Sequence, residues 1–418
     1  MRFDTVIIGG GLAGLVCGIR LQKAGQKCAI IAAGQNAMHF SSGYFDLLNK
    51  MPDGTDVDEP LKAMVSLGED HPYSKIGKSL FERYLSETVP FFENCGISLN
   101  GYPEKNGFRI SPAGEFRKTW LGLDEFKVLE SDSDRPGKKV LIANIEGYLD
   151  FNTSFIADAL EEKGIGCKII PVRLDEMERL RKNPSEMRST NIAKVMEHKE
   201  VWEKAVKQIK NAITDEDAVI LPALLGISDA EVSASMKEKI GKEVYMVATM
   251  PPSVPGIRSQ MRMKAEFENA GGIFLQGDTA CNPEIKNGKV ISISTVNFDD
   301  IRLYADNFIL ASGSFFSKGL NATPDRISET VFDLDIDAST ERKDWYDTEF
   351  FARQNYISFG VRTDKDFRCY KDGNIIENLY AAGSILSGCN ALYEGCGAGT
   401  AIFSAFKVSD TILESSEK

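Results

Sequence analysis

Histidine is scarce in this chain of 418 residues: His39, His71 and His198 are the only three, spaced too far apart in sequence to suggest a clustered zinc site by themselves. Basic excess is absent too. The 49 Lys and Arg side chains against 61 Asp and Glu give a net charge of −12, which repels a phosphate backbone, so no nucleic-acid partner is expected. The eight cysteines include no CxxC pair, and Cys389 and Cys396 form the closest pair. That pattern excludes a dense disulfide framework and argues against an iron–sulfur cluster held by this chain. No metal is expected. Long hydrophobic runs are missing as well: nothing reaches the roughly 18 apolar residues of a membrane helix, and the glycines within Val6 to Ile19 argue against a signal peptide. What remains is ordinary globular material, 43% hydrophobic and 26% charged, with 36 glycines that carry most of the information.

Phe3 to Ile8 reads as a buried strand. Gly9, Gly11 and Gly14 follow, then an apolar-periodic helix stopped by Gly25, then a second buried run from Cys28 to Ala33. Strand, helix and strand in about 30 residues is the span of one mononucleotide-binding unit. In that setting the first glycine permits a tight turn, the second lets backbone approach a phosphate, and the third lets the helix pack on the strand. The motif predicts a bound nucleotide or flavin. The acid that would hold an adenosine ribose after the second strand is missing, since no Asp or Glu occurs between Gly14 and Asp46. Either a dinucleotide is held differently or the ligand is a mononucleotide such as FMN.

Two further segments carry candidate chemistry. His39, Phe40, Ser41, Ser42 and Gly43 follow the second strand; Ser41, Ser42 and Gly43 suit a phosphate or ring edge, and His39 is a candidate proton handler. Near the C-terminus a strand ends at Ala382, Gly383 and Ser384, and Gly395, Cys396 and Gly397 open the last helix, whose N–H groups suit the negative edge of a reduced flavin. Cys396 is expected there for its size. Between these ends the pattern predicts two α/β units, with strands at 140–145, 167–172, 218–221 and 244–247, and capping boxes at Ser79/Glu82 and Ser228/Glu231. A hairpin is predicted at Asn287 and Gly288, and a short strand runs into Ser312 and Gly313.

A glycine loop at residue 9, a hairpin leading to Gly313, and a strand ending at Gly383 before a glycine-capped helix follow the order of two-dinucleotide-binding flavoproteins. The details Arg2-Phe3-Asp4, His39 to Gly43, Pro251-Pro252-Ser253-Val254 with Gly256-Ile257-Arg258, Ser312 to Ser317, Phe359-Gly360-Val361 and Gly395-Cys396-Gly397 are more specific. By these motifs the chain resembles the B-subunit family of anaerobic glycerol-3-phosphate dehydrogenases over essentially its full length.

The resemblance implies an α/β fold: a Rossmann-like FAD/NAD(P)-binding flavin domain of glutathione-reductase type with an inserted α/β substrate or cap domain. The expected division is flavin domain at 1–45, 255–318 and 374–418, with cap segments at 46–254 and 319–373. It further implies FMN as cofactor with FAD as second choice, an A-subunit partner in a catalytic dimer, an iron–sulfur C-subunit that anchors the enzyme to the membrane, and quinone as acceptor. The expected location is cytoplasmic and peripheral to the membrane through those partners. For the oxidation of sn-glycerol 3-phosphate, Arg258 is the first candidate for anion contact, with Arg117 and Arg353 behind it. A soluble FAD enzyme of fumarate-reductase type and a flavin relay subunit that never meets substrate are the alternatives.

Overall fold

The computed structural model describes residues 1–298 and 300–416, which divide into two compact units. The first comprises 1–37, 46–95 and 262–418; the second comprises 38–45 and 96–261.

The first unit is built on an eight-stranded sheet. Its opening is the predicted strand–helix–strand: β1 (Arg2–Ile8), α1 (Leu12–Lys23) and β2 (Cys28–Ala32). β1 and β2 run parallel, from Thr5 opposite Cys28 to Ile8 opposite Ile31. Strand Ile273–Gln276 extends the sheet beyond β2, while strand Leu303–Leu310 lies parallel to β1 on its other side. Strand Asn374–Ala381 joins next to Leu303–Leu310, also parallel. Central strands read as near-continuous apolar runs because both faces are covered, and every residue of β2 is buried. The hairpin Ala280–Lys286/Lys289–Thr295 turns at Asn287 and Gly288, both at positive φ, the geometry a two-residue type I′ turn needs.

Two segments assigned from sequence to the cap belong to this unit instead. Residues 46–95 contribute Tyr73, Phe81 and Tyr84, whose rings meet Phe403 and Phe406 of the C-terminal helix (Gly397–Ser416) at centroid separations of 4.9 to 6.1 Å. Residues 319–373 contribute strand Arg368–Lys371, antiparallel to Asn374–Ala381, and Val361, whose N–H donates to Ile385 O at 2.9 Å. Both assignments turn on long-range packing that local polarity does not report. The predicted capping boxes are not formed either. Helix Lys78–Glu93 is preceded by Gly77 at φ +78 with no side-chain cap, because a shorter helix ends there directly. Helix Glu231–Ile240 starts late, and the Ser228 N–H is taken by Glu197.

The second unit carries a four-stranded parallel sheet in the order Glu243–Val247, Ala218–Pro222, Lys139–Ile145, Gly166–Val172, close to the strands expected from sequence. Helices Thr153–Glu161 and Glu231–Ile240 are its crossovers. A smaller antiparallel piece pairs Tyr44–Phe45, Leu121–Leu123 and Leu99–Gly101. Among the described residues no helix is long and apolar enough to cross a membrane.

Candidate functional site

The glycines of the first unit divide into those that allow close packing and those that leave backbone uncovered. A Cβ on Gly9, which sits at φ +121, would lie 2.1 Å from Ala311 O, so the turn after β1 is pressed against the loop after Leu303–Leu310. A Cβ on Gly14 would lie 1.9 Å from Gly9 O; this is the close helix–strand contact expected of the third glycine. Gly11 differs. Its φ is an ordinary −80°, and the nearest atom to an added Cβ is Asn36 Cβ at 3.9 Å.

α1 therefore begins beneath open space, with no side chain capping its first N–H groups. Those donors and the positive end of the helix dipole fit a phosphate group. Around them the fold gathers the other predicted glycines. Gly383, at φ +82, would place a Cβ 2.8 Å from Ala13 Cβ, and its N–H is held by Ser404 Oγ at 2.9 Å. Gly313, at φ +80, has Ser384 Oγ 3.6 Å from the position of an added Cβ. Gly397 opens the C-terminal helix with only Ala391 Cβ, at 3.7 Å, near an added Cβ, whereas Gly395 is left-handed and packed on Asn49. That helix runs alongside α1, where Cys17 Sγ reaches Ala405 O at 3.6 Å. The residues present thus fit a flavin: an uncovered helix terminus for phosphate, and a second glycine-opened helix for the ring system.

Sequence reasoning passed over two side chains here. Ser312 Oγ is buried without a hydrogen-bond partner, next to the Gly9 turn. Asp278, 3% exposed, lies just past the strand that pairs with β2, and its own N–H donates to Ala32 O at 3.2 Å. Its Oδ1 accepts from the Thr279 and Asn297 N–H groups, while Oδ2 is buried without a partner. A search restricted to the residues directly after β2 does not reach this carboxylate.

Cys396 is fully buried and lies in a cluster that the histidine spacing did not foreshadow. His71, Cys389 and Cys396 bring one ligand atom each within 4.8 Å of one another. Both nitrogens of His71 are occupied: Nδ1 accepts the Tyr73 N–H at 3.0 Å, so Nε2 carries the proton and donates to Glu394 Oε2 at 3.1 Å. Cys389 and burial together push the Cys396 thiol well above the ordinary range. The group is two buried cysteines beside a histidine that is hydrogen-bonded through both nitrogens.

His39, Ser41, Ser42, Gly43, Arg117 and Arg258 lie in the second unit, and Arg353 in the first. Ser41 Oγ accepts the Gly43 N–H at 3.1 Å, and Ser42 Oγ accepts from Arg109 at 2.7 Å. Gly43, at φ +80, lacks a side chain where a Cβ would lie 2.2 Å from the Phe126 ring, which is a packing reason for glycine. His39 bonds Gln260 Oε1 through Nε2; its Nδ1 is buried and unpartnered.

Arg258 does not match the role expected of it. It is 4% exposed, it pairs with the buried carboxylate of Glu125, and it donates to Leu225 O at 3.1 Å and to Gly226 O. That guanidinium is neutralised by Glu125 and makes three hydrogen bonds to protein acceptors, so its charge is already balanced within the protein. Arg117 is exposed and pairs with Glu115 at 3.0 Å, and Arg353 donates to Pro52 O at 2.8 Å.

These features define a flavin-binding oxidoreductase domain, and residues 4–400 match the family described as FAD binding domain. Within that class the chain belongs to the B-subunit family of anaerobic glycerol-3-phosphate dehydrogenases. It is 39% identical over 421 residues to the anaerobic glycerol-3-phosphate dehydrogenase B-subunit of Yersinia enterocolitica, covering 100% of this chain and 99% of the relative. The protein of the same name from Pectobacterium carotovorum is 40% identical over 417 residues, covering 99% of each. Among solved structures, 3-ketosteroid delta1-dehydrogenase from Sterolibacterium denitrificans aligns with 99% of this chain and 100% of its own, at 10% identity and a TM-score of 0.45.

Proposed function

We infer that the chain is a flavin-bearing subunit that takes part in oxidising sn-glycerol 3-phosphate to dihydroxyacetone phosphate and delivers the electrons toward menaquinone. The observation that carries this reading is full-length identity to relatives named as the B-subunit of that dehydrogenase, together with an uncovered, glycine-opened helix terminus where a flavin phosphate fits. The implied partners are the A-subunit, which completes a catalytic dimer, and the iron–sulfur C-subunit, through which the enzyme meets the membrane. Quinone is the final acceptor.

A flavin supplies the hydride acceptor. The residues proposed to hold it are Gly9, Gly11 and Gly14 at the phosphate, and Gly313, Gly383, Ser384, Gly395 and Gly397 along the ring and its edge. Gly11 N–H and the first amides of α1 bind the anion, and Gly9 and Gly14 keep the turn tight enough to aim them. Ser41 and Ser42 order the loop that follows His39. His39 is the proposed proton acceptor: with Nε2 bonded to Gln260, the unpartnered Nδ1 has a free lone pair for a hydroxyl proton. His39→Gln is expected to lower turnover by about 100-fold or more with flavin content unchanged; loss of flavin instead would give His39 a structural part.

FMN is the proposed cofactor, because no carboxylate follows β2 directly. FAD is the second reading, favoured by the unpartnered Oδ2 of Asp278 at the neighbouring strand end. Acid extraction and chromatography of the released flavin separate them: FMN alone supports the first. FAD whose retention falls in Asp278→Asn establishes the second.

A further inference from the structure

Phe350 and Phe351 are 84% and 97% exposed, with ring centroids 5.1 Å apart and planes at 90°. Two adjacent phenylalanines this bare present on the order of 300 Å² of apolar surface, as much as the largest patch of many monomers. They are not isolated. Arg353, two residues on, lies over the Tyr393 ring at 5.4 Å, and Gln354 O accepts from Asn390 Nδ2 at 3.1 Å. These contacts hold the Phe350 loop against the short helix Ala391–Glu394, which carries Leu392, 80% exposed, and Tyr393. Tyr356 in turn meets Phe315 with ring centroids 6.0 Å apart, and Phe316 beside it is 67% exposed. Three chain segments of the first unit are therefore tied together beside these exposed apolar side chains.

Two of the three lead straight into the flavin glycines. Phe315 and Phe316 follow Gly313 by two and three residues, and Leu392 and Tyr393 precede Gly395 and Gly397. We propose that this face is the docking surface for an electron-accepting protein subunit of the same enzyme, which seats Phe350 and Phe351 in an apolar pocket with a basic rim. The inference rests on the flavin-subunit reading above. Charge selects the occupant. Residues 341–353 carry Glu341, Asp344, Asp347 and Glu349 against Arg342, Lys343 and Arg353; among the described residues no ion pair engages Asp347 or Glu349, which directly precede the two rings, nor Arg342 or Lys343 farther back in the chain, and Asp347 accepts the Glu349 N–H at 2.8 Å. An anionic lipid surface would be repelled by these carboxylates and by the net charge of −12. A protein pocket rimmed by Lys or Arg satisfies both the aromatic knob and the Asp347 and Glu349 carboxylates beside it, which have no counter-ion among the described residues.

The test uses the full chain co-expressed with the other subunits of its enzyme. Phe350→Ser with Phe351→Ser changes only solvent-facing rings, so flavin content and chemical reduction of the flavin should match wild type. Association with the remaining subunits should weaken at least tenfold, as expected for paired aromatic anchors. Glu349→Lys should weaken it as well, with the loss reduced at high salt. Unchanged association of the double variant, with flavin present, overturns the docking face and leaves the functional reading standing. Transfer of the effect to vesicles of anionic lipid, with the protein complex intact, also overturns it by assigning the face to membrane. A wild-type chain that assembles without any flavin overturns the functional reading, and the electron-accepting role of the partner with it.

Discussion

Arg258 and Glu125 form an ion pair in the interior of the second unit, with side chains 5% and 4% exposed. Burial pushes the Glu125 carboxyl up while Arg258 pulls it down, and the guanidinium also donates to two carbonyls. Glu125→Gln leaves a buried charge without its counter-ion, and unfolding free energy should fall by about 3–5 kcal/mol. Glu125→Leu combined with Arg258→Met should recover most of that loss, because no charge then remains buried. Chemical denaturation of the three proteins checks both outcomes. A double variant as unstable as the single one would show that the pair is needed as an ion pair.

Gly11 and Gly14 should fail in different ways. A side chain at Gly11 enters open space at an ordinary φ, so Gly11→Val should fold with wild-type stability and purify without flavin. A Cβ at Gly14 would lie 1.9 Å from Gly9 O, so Gly14→Ala should be destabilised by about 1–3 kcal/mol or more whether or not flavin is present. Thermal melts with and without added flavin, and the flavin absorbance of purified protein, separate the two. Full flavin occupancy in Gly11→Val would remove this loop from the site.

Asp410 joins three helices of the first unit. It accepts from Arg20 at 2.6 Å, from the Tyr84 hydroxyl at 2.8 Å, and from Arg83. At 14% side-chain exposure, Asp410→Ala should cost about 1–3 kcal/mol, since charged donors lose their acceptor away from bulk water. Glu87, 34% exposed on the same Arg20, should cost under about 1 kcal/mol when replaced by Ala. Equal losses in equilibrium unfolding would deny the central place of Asp410.

The Glu216 carboxylate gives a pH signature. Its burial opposes ionisation, but the Thr214 N–H at 2.6 Å, its own backbone and Lys168 at 3.5 Å outweigh it and hold the group down at about 2. A folded-state value below the unfolded one contributes stability that is fully present above about 4.3–4.5 and is lost as pH falls toward 2. Wild type should therefore exceed Glu216→Gln in denaturation midpoint at pH 7, with the gap narrowing at pH 3. A gap that widens on acidification would reverse the sign of this contribution.

The sequence by itself determined the parts whose causes are local. Gly9, Gly11 and Gly14 between two apolar runs permit few arrangements other than a tight turn under a helix, and Asn287-Gly288 specifies its own hairpin. The central strands of both sheets fell near their expected positions because parallel strands covered on both faces read as continuous apolar runs, as Cys28–Ala32 and Ala218–Pro222 do. Tertiary structure decided everything that depends on which distant surface a segment meets. Residues 46–95 joined the first unit through aromatic packing on Phe403 and Phe406, and Asp278 arrived beside β2 just past a strand more than two hundred residues away in sequence. His71 met Glu394 and the two late cysteines in the same way. Arg258 is the plainest case. A cation near a helix start reads as an anion contact until the fold supplies Glu125, because composition fixes that a charge exists, while only packing fixes whether water, substrate or a buried carboxylate balances it.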